Sequence, residues 1–327
     1  TDPERGRLME SEFGIHYFTT DFEEVISAGD VDLVLIATPM AYHGSLALAA
    51  LEAGKHVLVE KPMGVTLEEG QKLVAAAKQS PGHLLVAPHV VLSATYQEIW
   101  RHIQRGDVGQ VHLARGRYGW TGPYWSKWFY EPGGGPLFDL GVYNVTTFTG
   151  LLGPAKRVTA MTGTAIKERE VNGRPIKVET EDNFQILIDF GNACFGVVTT
   201  GFTIQKYRGP GLEFYGTEGT IQMMGNDWAP NGYELWQNSV GAWQIYGETD
   251  GNWRWTDGLR HLVECILEDK TPLITPEHAY HVLEIMIKAA EAGRDGQTKE
   301  IESTFTPPTF PMEIERVPAH YKHDRSH

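Results

Sequence analysis

The sequence predicts an α/β segment over residues 1–90, part of a doubly wound parallel sheet, followed by an α+β segment over residues 91–327 with a large, mostly antiparallel open sheet. Three observations carry this reading. Before residue ~92, continuous apolar runs that suit strands buried on both faces alternate with helix-patterned stretches. Between Arg157 and Tyr246 the texture changes to β-rich segments separated by turn dipeptides. The chain has 327 residues, and single cores stop growing at ~250, so two domains are expected.

The elements come in a regular order. Residues 3–13 have helical composition, the short FTTDFEEVISAG stretch is next, and VDLVLIATP is the first buried strand. HGSLALAALEAG is an alanine-rich helix closed by Gly54, and KHVLVEKP is the second strand. TLEEGQKLVAAAKQS is an amphipathic helix with Thr66 as N-cap, and HLLVAPHV is the third strand. Such alternation implies right-handed parallel crossovers. Ligands of these sheets bind beyond the carboxyl ends of the strands, where Thr38-Pro39, Glu60-Lys61-Pro62 and Pro88-His89 all fall. Next come a helix in TYQEIWRHIQRGDVG, a strand in VHLARGRYG, and a helix in PLFDLGVYNVTTFTGLLG approached through Gly133-Gly134-Gly135. RVTAMTGTAI, IKVETEDNFQILIDF, ACFGVVTTGFTI, GLEFYGTEGTIQMM and YELWQN predict an antiparallel meander. Two helices, WTDGLRHLVECILED and PEHAYHVLEIMIKAAEAG, and an irregular tail complete the chain.

Composition narrows the function. Acidic residues outnumber basic ones 42 to 28, a formal charge of -14. That field repels polyanions, so neither nucleic acid nor an anionic membrane is an expected partner, and a small neutral substrate suits it better. No apolar run approaches the ~20 residues of a membrane span. The only cysteines, Cys194 and Cys265, form neither a disulfide framework nor a metal cluster, which suits a reducing, cytoplasmic location. His278 and His281 lie three apart on a helix without an evident third ligand, so no metal is expected. There is no G-x-S-x-G to anchor a serine hydrolase.

Four motifs, in order and spacing, resemble those of the Gfo/Idh/MocA family of NAD(P)-dependent oxidoreductases. They are ATP (37–39), AGKHVLVEKP (53–62), GGG-x-L-x-D-x-G-x-Y (133–143) and YGTEGTI (215–221). The tyrosine form of the third is most similar to the branch containing glucose–fructose oxidoreductase, dihydrodiol dehydrogenase and xylose dehydrogenase. The resemblance implies a Rossmann-type first domain, NAD or NADP as cofactor, a sugar-like substrate, and a homo-oligomer paired through the C-terminal sheet. One departure stands out. The family begins with a strand, a G-x-G-x-x-G turn, a helix and a second strand ending on an acid, ~30 residues or more that seat the pyrophosphate and ribose. None of this is in the sequence, and TDPERG looks like the segment immediately after that second strand. The unit is expected upstream of Thr1; a chain complete as it stands would have a Rossmann-type sheet short of two strands and a poor dinucleotide site.

Oxidation of a secondary alcohol requires a base within hydrogen-bond reach of the hydroxyl. Lys61 at a strand tip can stabilise the developing alkoxide, with Pro62 fixing the backbone, through a cis bond if one is present; a strand-end lysine can also simply snorkel to water. Asp139 and Tyr143, four apart, share one helix face. The resemblance makes Lys61, Asp139 and Tyr143 the catalytic set. Because a tyrosine ordinarily titrates near ~10, proton transfer by Tyr143 requires Lys61 nearby. The alternative is an N-terminal Asp on the helix dipole and a packed Tyr. Cofactor contacts are expected from Ala37, Thr38, Pro39, His43, Glu60, Lys61 and Pro62. Substrate contacts are expected from His89, Trp125, Trp128 and Asn144, the tryptophans lying in the aromatic stretch WTGPYWSKWFYEPGGG, which suits either a sugar ring or the cover of a core or subunit interface. Two other functions are compatible with these residues. One is a redox-neutral enzyme with tightly held NAD(P) acting on glycosides or pairs of sugars, and the other is a non-catalytic sugar-binding scaffold.

Overall fold

The computed structural model describes residues 2–226, 228–247 and 257–313. The first layer runs α1 (Pro3–Phe13), α2 (Phe22–Ser27), β1 (Leu33–Ile36), α3 (His43–Glu52), β2 (His56–Val59), α4 (Leu67–Gln79) and β3 (Leu84–Val86). Its strands pair in parallel in the order β1-β2-β3. The central strand reads as a continuous apolar run because both faces are covered: Val57, Leu58 and Val59 are buried, as are Leu84, Leu85 and Val86 of β3. β1 is an edge, and its Leu35 is 53% exposed. α4 starts where the sequence places it, with a capping box in which Thr66 and Glu69 serve each other's backbone. β3 is shorter than the apolar run suggests. Ala87 N–H still donates to Val59 O, but Pro88 has no N–H to continue the ladder.

The second layer contains α5 (Ala94–Arg105), β4 (Val111–Gly119), α6 (Val142–Leu152), β5 (Arg157–Gly163), β6 (Glu168–Val171), β7 (Arg174–Lys177), β8 (Asn183–Gly191) and β9 (Cys194–Gly201). It continues with β10 (Leu212–Gly216), β11 (Gly219–Asn226), β12 (Ala229–Gln237), β13 (Ala242–Tyr246), α7 (Gly258–Glu268), α8 (Pro276–Asp295) and β14 (Lys299–Glu300). Among the described residues nine strands form one sheet, β13-β12-β11-β10-β4-β9-β8-β5-β14. The predicted meander holds for β10 to β13 and fails in the middle, where β4 sits between β10 and β9 and runs parallel to β9. A parallel pair needs a long crossover. Here it includes α6, which lies on the sheet at Gly116, where an added Cβ would come within 2.9 Å of Asn144 Cγ. β6 and β7 form a separate hairpin.

The ladder register puts Val158, Ile188, Gly196, Ala114, Phe214, Ile221 and Leu235 in one row across the inner face, all buried. α8 packs against α4, α6 and β5, so one continuous apolar core joins the parallel layer to the large sheet. α8 also carries polar groups into that core. His278 Nε2–H donates to Thr149 Oγ1 at 2.8 Å, since that hydroxyl donates its own proton to Val145 O. His281 Nε2 accepts from Ala155 N–H while Nδ1–H donates to Ser303. The two rings therefore hold different partners rather than sharing one ligand. Glu284 accepts from the N–H groups of Glu302 and Ser303, both at 2.9 Å, and pairs with Lys288. Burial pushes its carboxyl up, but Lys288 and those donors outweigh burial and hold it below the usual carboxylate range.

These groups make the fold acid-sensitive. Burial lowers His278 to about 3 and His281 and His89 to about 4. Each folded value lies below the unfolded one, so the unfolded chain takes up protons first. Stability is complete above about pH 6.5 and falls toward pH 4, with Glu284 adding to the loss below its ordinary 4.5. Urea unfolding at a series of pH values should show ΔG falling by up to about 1.4 kcal/mol per pH unit for each histidine. His281→Gln should flatten that slope, and a profile unchanged by the substitution would contradict the assignment.

Candidate functional site

The tip of β2 and the start of α6 meet at the carboxyl edge of the parallel sheet. Lys61 Nζ donates to Asp139 Oδ1 at 2.7 Å and to Asp139 O at 2.7 Å. Both side chains are mostly buried, 12% and 15% exposed. The ammonium lies 5.5 Å from the ring centre of Tyr143, and Tyr118 of β4 meets that ring edge-on at 5.6 Å. The Lys61–Pro62 peptide bond is cis, one of the two forms the sequence allows. Lys61, Asp139 and Tyr143 thus come together from two distant parts of the chain.

Asp139 is not on the regular helix the sequence predicts. Leu137–Gly141 is a π-helical turn, in which Val142 N–H reaches back to Leu137 O, and α6 begins after it. Single π turns recur at functional sites. So short a register change leaves no periodic signal, so neither the turn nor the Asp139 carbonyl as a second acceptor for Lys61 is readable from the sequence. The glycine run is explained by close approach: a Cβ on Gly134 would lie 2.5 Å from Trp128 O, and Gly135 has φ +96°. A second apolar cluster, holding Met40, Phe129, Tyr130, Leu140 and Phe202 with Val65 and Trp128 packed against it, joins the strand-end loops to the aromatic stretch.

The remaining expected residues fall in three settings. Ala37, Thr38 and Pro39 are exposed at the tip of β1, Glu60 is half-buried and Pro62 is buried. His43 is buried at the first turn of α3, with Nδ1 2.7 Å from Pro62 O and Nε2 2.8 Å from Thr38 O. Trp125 is half-exposed, stacked on Trp120 and edge-on to Tyr124, whereas Trp128 lies flat against Phe129 at 3.6 Å. Asn144 is wholly buried between α6 and Gly116 of β4, so it presents no surface to a ligand. His89 is buried too, two residues past Ala87, whose N–H makes the last bond of the ladder, rather than at the strand end. Its ring packs against Gly258, and Nδ1 has no hydrogen-bond partner among the described residues. Lys127 is exposed and paired with Glu131. Among the described residues no helix is long and apolar enough to cross a membrane.

Comparison with known proteins identifies the family and the fold. Residues 1–87 match the oxidoreductase family with an NAD-binding Rossmann fold, and residues 96–222 match the GFO/IDH/MocA C-terminal domain. The chain is 29% identical over 312 residues to 1,5-anhydro-D-fructose reductase of Ensifer adhaerens, covering 93% of this chain and 90% of that protein. It is 26% identical to the scyllo-inositol 2-dehydrogenase (NAD(+)) of Bacillus subtilis, covering 92% and 87%. The fold is shared with levoglucosan dehydrogenase in complex with NADH and levoglucosan, at a TM-score of 0.81 and 23% identity over 92% of this chain and 88% of that one. With strand tips, glycine-led π turn and mixed sheet all in place, the chain belongs to the Gfo/Idh/MocA family of NAD-binding oxidoreductases.

Proposed function

We propose that the protein oxidises a secondary hydroxyl of a sugar or related cyclic polyol, with NAD or NADP as the hydride acceptor. The observation that carries this reading is the convergence of Lys61, Asp139 and Tyr143 at the carboxyl edge of the parallel sheet. An ammonium has three N–H donors. Two are accepted by Asp139, and the third is available for the oxygen of an incoming alcohol. Tyr143, acting in its phenolate form, takes the O–H proton and becomes a neutral phenol as the hydride leaves carbon, Lys61 stabilises the negative charge that develops on the substrate oxygen, and Asp139 holds the ammonium in place. In reduction the same groups return the proton.

The rim chemistry fits a dinucleotide. Ala37, Thr38 and Pro39 present small groups and backbone at the tip of β1, beside Glu60, Lys61 and Pro62, and these residues would hold the nicotinamide end. The bound cofactor supplies the hydride-accepting carbon. The names of the relatives, a 1,5-anhydro-D-fructose reductase and a scyllo-inositol 2-dehydrogenase, support a polyhydroxylated ring as the substrate class. Trp125 is a platform of the right kind for the apolar face of such a ring.

The outer face of the large sheet supports self-association. Register places Met161, Leu187, Phe195, Trp236 and Trp243 on that one face, and Met161, Leu187, Phe195 and Trp243 are exposed. The face also carries the pairs Arg157–Asp189 and Arg115–Glu213. A patch bearing apolar groups and both signs of charge can complement a two-fold copy of itself.

Two measurements test these proposals. Against a panel of cyclic polyols and sugars with NAD and NADP, Lys61→Ala and Tyr143→Phe should each lower kcat on the order of a hundredfold or more, with cofactor affinity by calorimetry within a few-fold of wild type. Wild-type turnover in Lys61→Ala would reject its role. Sedimentation should show an oligomer that Leu187→Glu together with Phe195→Glu dissociates, and a wild-type monomer at micromolar concentration would remove the sheet-pairing proposal.

A further inference from the structure

His43 stands between two strand tips, with Pro62 O 2.7 Å from Nδ1 and Thr38 O 2.8 Å from Nε2. A carbonyl oxygen only accepts, and a neutral imidazole has a single N–H. In either neutral tautomer one of these contacts would therefore set two lone pairs against each other at hydrogen-bond distance, on a ring that is 1% exposed. Flipping the ring would set a C–H group against each carbonyl and forfeit both hydrogen bonds. An imidazolium satisfies both acceptors at once.

From this geometry we infer that His43 is a cationic two-headed clamp that positions the strand tip carrying Lys61. The last ladder pair of β1 and β2 is Ile36–Val59, and one more bond runs from Glu60 N–H to Ile36 O. Beyond it, His43 joins Thr38 to Pro62. At the other end of the segment Glu69 accepts from Val65 and Thr66 N–H. Lys61 thus lies on a short stretch of backbone tied at both ends. The charged groups on the elements packed around His43 are Glu69 of α4, whose Cδ a Cβ on Gly44 would approach to 2.9 Å, and Glu60 and Lys61 on the tip itself, Lys61 being paired with Asp139. The first turn of α3 disfavours a cation through its dipole; two charge-assisted hydrogen bonds and the Glu69 carboxylate oppose that.

The charge state is independent of the dehydrogenase reading, whereas the effect on turnover rests on it, and the test separates them. His43-Gly44 is the only His-Gly pair in the chain, so carbonyl-labelled histidine combined with nitrogen-labelled glycine identifies its backbone by NMR in the wild-type protein, without any variant. Both ring nitrogens should carry a proton at about pH 7; a single ring N–H overturns the inference. Raising the pH until the second proton is lost should shift the Lys61 Nζ resonance at the same midpoint, and a Lys61 signal indifferent to that step overturns the positioning role. His43→Gln, which cannot reach both carbonyls, should lower kcat on the order of tenfold with a smaller change in KM. Unchanged kcat in the folded variant also overturns the positioning role.

Discussion

The contact between Lys61 and Asp139 joins the two layers of the molecule at the one place where chemistry is proposed. Its energetic value to folding is small in net terms. Taking a carboxylate and an ammonium mostly out of water costs several kcal/mol each, and the Coulombic gain roughly offsets that only with good geometry. At 2.7 Å to both an Oδ1 and a backbone oxygen of the same residue, the geometry is good, so the pair is close to neutral instead of destabilising. What it contributes is position. Losing one partner would strand the other charge, at about 3–5 kcal/mol, and that asymmetry keeps the ammonium from wandering.

Holding such a contact requires that the two sides cannot slide, and the core supplies this. α8 reaches α4 in the parallel layer and both α6 and β5 in the large sheet. Each buried Leu, Ile or Val contributes roughly 1.5–3 kcal/mol, and Val282, Leu283, Ile285 and Met286 together lock one helix against both layers. The smaller cluster of Met40, Phe129, Tyr130, Leu140 and Phe202 does the same on the crevice side. The polar groups that α8 buries are tied to the chain's later segments through Ser303 and Glu302. Proton uptake there therefore loosens the scaffold that holds the site.

How much of this was legible in the sequence depends on the range over which each signal acts. The strands of the parallel layer and α4 with its Thr66 cap were readable because burial on both faces and capping leave local marks. The placement of β4 beside β9 was not, since pairing partners are set by packing at long range and leave no mark on VHLARGRYG itself. For the site, residue type and motif spacing pointed to Lys61, Asp139 and Tyr143, which the fold brings together. For His89 and Asn144, beside a strand end and beside Tyr143 in sequence, the fold gives buried positions that sequence proximity alone does not reveal. One position along a helix turns a side chain by about 100°, enough to send Asn144 into the sheet while Tyr143 faces the lysine.

The choice of lysine at the strand tip follows from counting donors. Arginine would bring five N–H groups in a rigid planar fork suited to gripping a carboxylate in two-point fashion, and it cannot release a proton near neutral pH. A histidine would reach less far and offer two donors at most. Lysine's compact ammonium can direct one donor to Asp139 Oδ1 and one to Asp139 O, which fixes its orientation, and still present one to an alcohol oxygen. The aspartate lies within the π turn, where its side chain and its own carbonyl meet the same ammonium. The local departure from ideal helix and the use of lysine are thus two halves of one arrangement.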